Sequence, residues 1–366
     1  MSEAIPLVSS DSHIAETEDC YADIDPKFRD RRPRKGYNAA GTAILKIPDI
    51  GIDIPLGTVC TVGRTPQDLG KPMKWEELHP SGWDPKERLA IQQADGIAAE
   101  VLYPSVGMAL CNHPDPDYMK ACFDAYNRWL AGFCEADPRR LLGVGLASLR
   151  SIEDGLAEIE QIAHMGFKSV MLPGTPTVED YHHPCYDPIW ELCIDKGLPV
   201  SFHILTSKDD LGGQIRGPVL VFQIVTVRGN QNIMMAMVLG GVFERHPKLK
   251  VVCVEADAGW VPHFNFRMDH AWERHRWHLP GGDLQRLPSE YFNENIYVTF
   301  QDDYSVKHVL GAMNLERVLW ATDFPHSDGT YPHTAEIVEQ VTEGMTEAQK
   351  RAVLSGNTAK LYGLDL

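Results

Sequence analysis

Eight times along this chain a short, near-continuous apolar run alternates with sequence of helical spacing. No other feature constrains the fold as strongly. The apolar runs cover 5–13, 97–104, 141–148, 168–173, 198–204, 248–255, 296–301 and 317–324. Helical periodicity fills 85–95, where Leu89, Ile91 and Ala94 recur, and then 115–136, 152–165, 187–196, 219–245, 260–276, 304–313 and 345–362. Strands apolar on both faces belong to a parallel sheet whose faces are covered by helices. Eight such units in 366 residues predict an α/β fold, one (β/α)8 TIM barrel occupying 1–366. The absence of a Gly-x-Gly-x-x-Gly or Walker loop removes the usual reason for an open nucleotide-binding sheet. Residues 14–82, rich in Pro, Gly and charge, read as a long insertion after the first strand. They are expected to lie over the active end as a lid or pocket wall, with a short hairpin around 41–62.

Barrel enzymes carry their chemistry at the C-terminal ends of the strands, so the strand tips are where ligands are sought. The first strand ends in Asp11 and His13, whose i, i+2 spacing on an extended chain points both side chains one way. The fifth ends in His203, the sixth in Glu255, and the eighth in Asp323 with His326 just beyond. A capping Asp or a satisfied core His would explain any one of these alone. Asp323, however, follows apolar residues in a segment expected to be fully buried, and a buried carboxylate without a cation or hydrogen-bond partners is costly. Asp11, His13, His203 and Asp323 together form an oxygen- and nitrogen-donor set. It suits one divalent ion in an open catalytic site, with zinc the first choice and manganese or iron the alternatives. Substrate-binding candidates are Arg216, Trp260, His182 and His183. His326 is a further candidate for binding substrate or supporting Asp323.

A formal net charge of −17 argues against a nucleic-acid partner, and the basic run 29–35 reads as a solvated loop. No apolar run approaches the roughly 20 residues of a membrane helix, and no basic stretch followed by an apolar one marks a secretion signal, so the expected location is cytoplasmic. Eight scattered cysteines without a Cys-x-x-Cys pair fit reduced thiols.

Several stretches resemble the amidohydrolase superfamily, in its amidohydrolase-related, aminocarboxymuconate semialdehyde decarboxylase-like branch. They are Asp11-Ser-His13, Gly166-Phe-Lys-Ser-Val-Met-Leu-Pro173, Pro199-Val-Ser-Phe-His203, Val242-Phe-Glu-Arg-His-Pro-Lys-Leu-Lys-Val251, Val254-Glu-Ala-Asp-Ala-Gly-Trp260, Ala321-Thr-Asp-Phe-Pro-His326 and Gly356-Asn-Thr-Ala-Lys-Leu-Tyr-Gly363. The resemblance implies that Asp11, His13, His203 and Asp323 bind one metal, that Asp323 also carries a proton, and that the protein is a homo-oligomer, a dimer or tetramer. Three departures stand out. Asp11 replaces the usual first histidine of His-x-His. Met171-Leu-Pro at the fourth tip offers no lysine to bridge two metals. Val-Glu-Ala-Asp-Ala-Gly lacks the histidine of the Gly-His-x-Gly-Glu segment found in the branch's decarboxylases.

The leading expectation is hydrolysis of a small, aromatic or ring-derived carbonyl, amide or ester substrate. Metal-activated water would attack, Asp323 would shuttle the proton, and Glu255 would orient water or substrate. The alternative is non-oxidative decarboxylation of an aromatic or enol acid, in which Asp323 protonates the carbon that carbon dioxide leaves. A metal-free binding scaffold is the reading from outside enzymology.

Overall fold

The structure is a computed structural model that describes residues 5–208 and 216–365. Its eight-stranded sheet runs β1 (Leu7–Ile14), β4 (Ile97–Pro104), β5 (Leu141–Leu146), β6 (Ser169–Met171), β7 (Val200–His203), β8 (Val251–Val254), β9 (Ile296–Phe300) and β10 (Val318–Trp320). Every paired neighbour is parallel. Each strand residue from Val8 onward is buried, apart from half-buried Ala98, because the outer face lies under helices and the inner face fills the barrel. The predicted helices at 85–95 and 187–196 are found at those bounds. Asp84 and Ser151 cap the helices that follow them by accepting from backbone N–H groups, and left-handed Gly96 and Gly197 end the helices 85–95 and 187–196.

The barrel closes where its first strand meets its last. Asp323 N donates to Asp11 O at 2.9 Å and His13 N donates to Phe324 O at 2.7 Å. Below them Ser10 Oγ donates to Trp320 O at 2.7 Å, and the hydroxyls of Ser9, Ser12 and Thr322 form a triangle with 2.9 Å sides. Strand β1 is irregular here. Ser9 faces Glu100 and Ser12 faces Leu102, so β1 spends one more residue than β4 across the interval. That bulge re-aims the end of the strand, which carries Asp11 and His13.

Residues 14–82 differ in detail from expectation. Their hairpin pairs β2 (Arg34–Tyr37) with β3 (Ala43–Lys46), so it begins ahead of the predicted window and takes in the end of the basic run. The helical region 219–245 is broken into Phe222–Val225, Arg228–Leu239 and Val242–Arg245, the last break falling at left-handed Gly241. Helices Pro288–Asn295 and Thr334–Val341 were not foreseen. Among the described residues no helix is long and apolar enough to cross a membrane.

Candidate metal centre

The tips of β1, β7, β8 and β10 bring five side chains to one point. His13 Nε2 lies 3.4 Å from Asp11 Oδ1, 3.1 Å from Asp323 Oδ1 and 3.6 Å from Glu255 Oε2. His203 Nε2 lies 3.5 Å from Asp11 Oδ1 and 3.2 Å from Glu255 Oε2. Glu255 and Asp323 both stand at positive φ, +55° and +53°, so the chain turns left-handed at the residue that must face inward. Such conformations cost about 1–3 kcal/mol and cluster at functional sites. Here they are held by Thr299 Oγ1, which accepts from Glu255 N at 2.7 Å, and by the Asp323–Asp11 backbone bond.

Three observations fit a cation. Both ring Nδ1 atoms face main-chain carbonyls, His13 that of Pro104 at 2.8 Å and His203 that of Ile204 at 3.0 Å. A nitrogen facing a carbonyl carries the proton, which leaves each Nε2 lone pair aimed at the cluster, the arrangement metal-ligating histidines adopt. Asp11 Oδ1 and Oδ2, His13 Nε2, His203 Nε2, Glu255 Oε2 and both Asp323 carboxylate oxygens are buried without a hydrogen-bond partner. Unpaired buried groups of this kind are expensive, and three facing carboxylates more so. The 3.1–3.6 Å separations also match donor atoms sharing one ion at about 2.1 Å, whose edges are about 3.0–3.4 Å. Glu255 therefore joins the ligand cluster, where the sequence had suggested an orienting role.

The electrostatics express the same crowding. Burial alone would raise Asp11, yet the facing His203 and His13 hold it well below the usual carboxylate range. Burial opposes charge on the two imidazoles, but Asp11 and the other carboxylates raise His203 and lift His13 well above its ordinary value. Glu255 is pushed up by burial and Asp323, and Asp323 is pushed up to about 6, chiefly by burial.

His326 stacks on His13 with ring centroids 3.7 Å apart, and burial and His13 push it well below its ordinary range. Its Nδ1 lies 3.0 Å from Asp323 Oδ1, and its Nε2 lies 2.7 Å from Ser105 Oγ. Ser105 donates its one proton to Ile14 O at 2.7 Å, so its oxygen accepts from His326 Nε2–H. Nδ1 then presents a lone pair to Asp323, positioned to accept from the carboxyl when Asp323 is protonated. Ser105 escaped the sequence reading because the tip of its strand carries no charged group, though the strand-tip rule applied there would have found it.

Asp323, Glu255, His326 and Ser105 line a cavity of about 530 Å³. Ile52, Ile54, Pro55, Thr58 and Val59 from the insertion form one wall, and Met108, Ile204, Leu205 and Phe222 another. Burial and the neighbouring Asp303, Asp302 and Asp328 push Asp257 up to about 7. Burial and Asp323 push Asp328 up to about 6. The proposed substrate-binding residues are not brought to this cavity. Arg216 is exposed and off the wall. His182 and His183 are exposed, one packed beside Gly240 and the other accepting from Cys185 N. Trp260 packs on Phe264 and Phe292 and donates to Asp257 O at 3.0 Å. Each had been judged by sequence proximity to a tip, which says nothing about where the following turn directs a side chain.

Residues 79–364 match the family model described as Amidohydrolase. A 2-amino-3-carboxymuconate-6-semialdehyde decarboxylase from Dictyostelium discoideum is 24% identical over 295 residues, 80% of either chain. Among solved structures, an amidohydrolase from Mycobacterium avium subsp. paratuberculosis K-10 superposes with a TM-score of 0.81 at 21% identity, covering 99% of this chain and 100% of that one. A 5-carboxyvanillate decarboxylase from Novosphingobium aromaticivorans, solved with manganese, gives 0.69 at 20% identity, covering 99% and 97%.

Proposed function

The chain belongs to the amidohydrolase family, and from that membership we propose that it is a metal-dependent carboxy-lyase acting on a small aromatic or enol acid. What carries this reading is the conjunction of relatives named as decarboxylases with a site that combines a cation cluster and a buried acid–imidazole pair. Hydrolysis, the leading expectation from sequence, becomes the second reading. It keeps one observation in its favour, the absence of a histidine in Val254-Glu255-Ala256-Asp257.

Asp11, His13, His203 and Asp323, with Glu255 beside them, would hold the ion. Zinc is not singled out, and manganese is the ion named with a structural relative. When bound, the ion supplies positive charge that anchors the substrate's carboxylate and adjacent oxygen and tempers the developing negative charge. Asp323 in its protonated form gives its proton to the carbon bearing the departing carboxylate. The pair of the broken C–C bond becomes the new C–H bond, and the products are carbon dioxide and the acid's parent compound. Asp323 regains its proton from solvent admitted to the cavity, and His326, fixed through Nε2 on Ser105, accepts from the reprotonated carboxyl through its Nδ1 lone pair and so orients it. The insertion's Ile52–Val59 stretch serves as a wall that keeps water from the reacting carbon.

The test is to load the protein with manganese or zinc and incubate it with a panel of hydroxybenzoic and enol acids in deuterated water. Carbon dioxide release with one deuterium at the vacated carbon is expected, falling at least about 100-fold in Asp323→Asn. Cleavage of amide or ester panel members without carbon dioxide would establish the second reading instead.

A further inference from the structure

Beyond the ligand cluster the cavity wall has an unbalanced charge. Asp53, Asp257 and Asp328 all line it, together with neutral Gln223, Gln301 and Ser327. Among the described residues no Lys or Arg lines the cavity, and none of these three carboxylates makes an ion pair. The three aspartates come from separate places, the insertion, the turn after β8 and the turn after β10. The same cavity reaches Asp323, fully buried with both carboxylate oxygens unpartnered, so its inner end is built for an ion and its outer end faces the remaining acids.

A substrate anchored through its carboxylate on the inner cluster extends its far end toward this wall. A second carboxylate there would meet like charge in a cavity with low-dielectric walls, where such repulsion is poorly screened. We propose that the acid accepted by this protein carries a positively charged nitrogen at the end remote from the ion, held by Asp257 and Asp328, and that dicarboxylic acids are rejected. This rests on the reading above only in placing the carboxylate at the inner cluster. It requires no particular bond to break.

Binding tests it without turnover. The probes are 2-hydroxybenzoate, 4-(aminomethyl)-2-hydroxybenzoate and 2-hydroxyterephthalate, titrated calorimetrically at pH 8 and low salt against the manganese-loaded protein. The aminomethyl compound should bind at least about tenfold tighter than 2-hydroxybenzoate, and the dicarboxylate at least about tenfold weaker. In the double variant Asp257→Asn, Asp328→Asn the spread should collapse to within about threefold, and high salt should narrow it in the parent protein. A dicarboxylate that binds as well as the cationic probe would overturn the proposal. So would no measurable binding of the cationic probe, or a spread that survives in the double variant. A change in manganese affinity alone would likewise overturn it, showing that the acids gather the ion and not the substrate. Whether 2-hydroxybenzoate loses affinity when manganese is removed reports separately on the carboxylate's place at the cluster.

Discussion

Arg88 lies beneath the metal centre, fully buried, and touches none of its ligands' side chains. Its Nε donates to Glu100 Oε2 at 2.7 Å, one terminal nitrogen donates to His13 O at 2.7 Å, and the other donates to Phe324 O at 3.2 Å. The guanidinium also sits 4.5 Å over the Phe324 ring. One cation therefore ties the first strand to the turn that ends the last. Arg88→Met keeps most of the volume and removes the charge. Phe324 O retains His13 N, and Glu100 retains Gln92 and Ser12, so the loss is dominated by a buried carboxylate deprived of its counter-charge. Removing one partner of a buried pair costs about 3–5 kcal/mol, and the lost carbonyl bonds add about 1 kcal/mol. We expect about 5 kcal/mol, several thousandfold in the folded-to-unfolded ratio at about 1.4 kcal/mol per factor of ten. Urea unfolding of metal-stripped protein measures it free of the ion's own contribution. Arg88→Met, Glu100→Gln should recover about half, because the orphaned charge is gone. In the single variant manganese affinity should fall about tenfold, since two ligand-bearing turns lose their brace. A single-variant loss below about 1 kcal/mol, or a double variant no better than the single, would refute the reasoning.

Three other outcomes follow from the site. His203→Ala should leave the folded protein with less than about a tenth of the parent's bound manganese by elemental analysis, because second-nearest donors cannot replace a missing imidazole. The carboxylates that raise His13 and His203 favour their protonated forms in the metal-free cluster, and an ion that takes the Nε2 lone pairs competes with those protons. Between pH 6 and 8 affinity should climb with pH, by up to about tenfold per unit for each proton displaced, with net proton release on ion binding in a weakly buffered dye assay, and zero release would contradict it. By the same shifts the metal-free fold is stabilised by these imidazoles below their unfolded value of about 6.5, and loses that contribution as pH rises through their folded values. Ser105→Ala should slow turnover about three- to tenfold and leave metal content unchanged, since it removes the bond that sets the His326 tautomer and a bond to Ile14 O but touches no residue of the ligand cluster.

The sequence displayed the barrel because period-two and period-3.6 patterns are local, and it displayed Asp11, His13, His203 and Asp323 because strand tips share one end of such a fold. What it hid depends on partners far along the chain. Arg88 reads as one charged position on a helix until Glu100 and the carbonyls of His13 and Phe324 surround it. Glu255 reads as an orienting group until a left-handed turn swings it among the ligands. Arg216, His182 and His183 follow strand tips in sequence yet face solvent, because turn conformation, which composition does not encode, sets their direction. Helix Thr334–Val341 lies in a stretch to which the sequence pattern assigned no element, following Gly329, Thr330, Pro332 and His333.

The closing seam has a consequence for biosynthesis. Asp11 is synthesised long before Asp323, and their main chains bond directly across the seam. No partial chain can assemble the cluster. Until β10 emerges, Asp11 and His13 wait beside a β1 edge that has no strand to satisfy it. An ion held by the full cluster would thus have to wait for β10. A truncated or stalled product would fail to acquire the ion and would also expose the strand edge by which quality-control factors can recognise it.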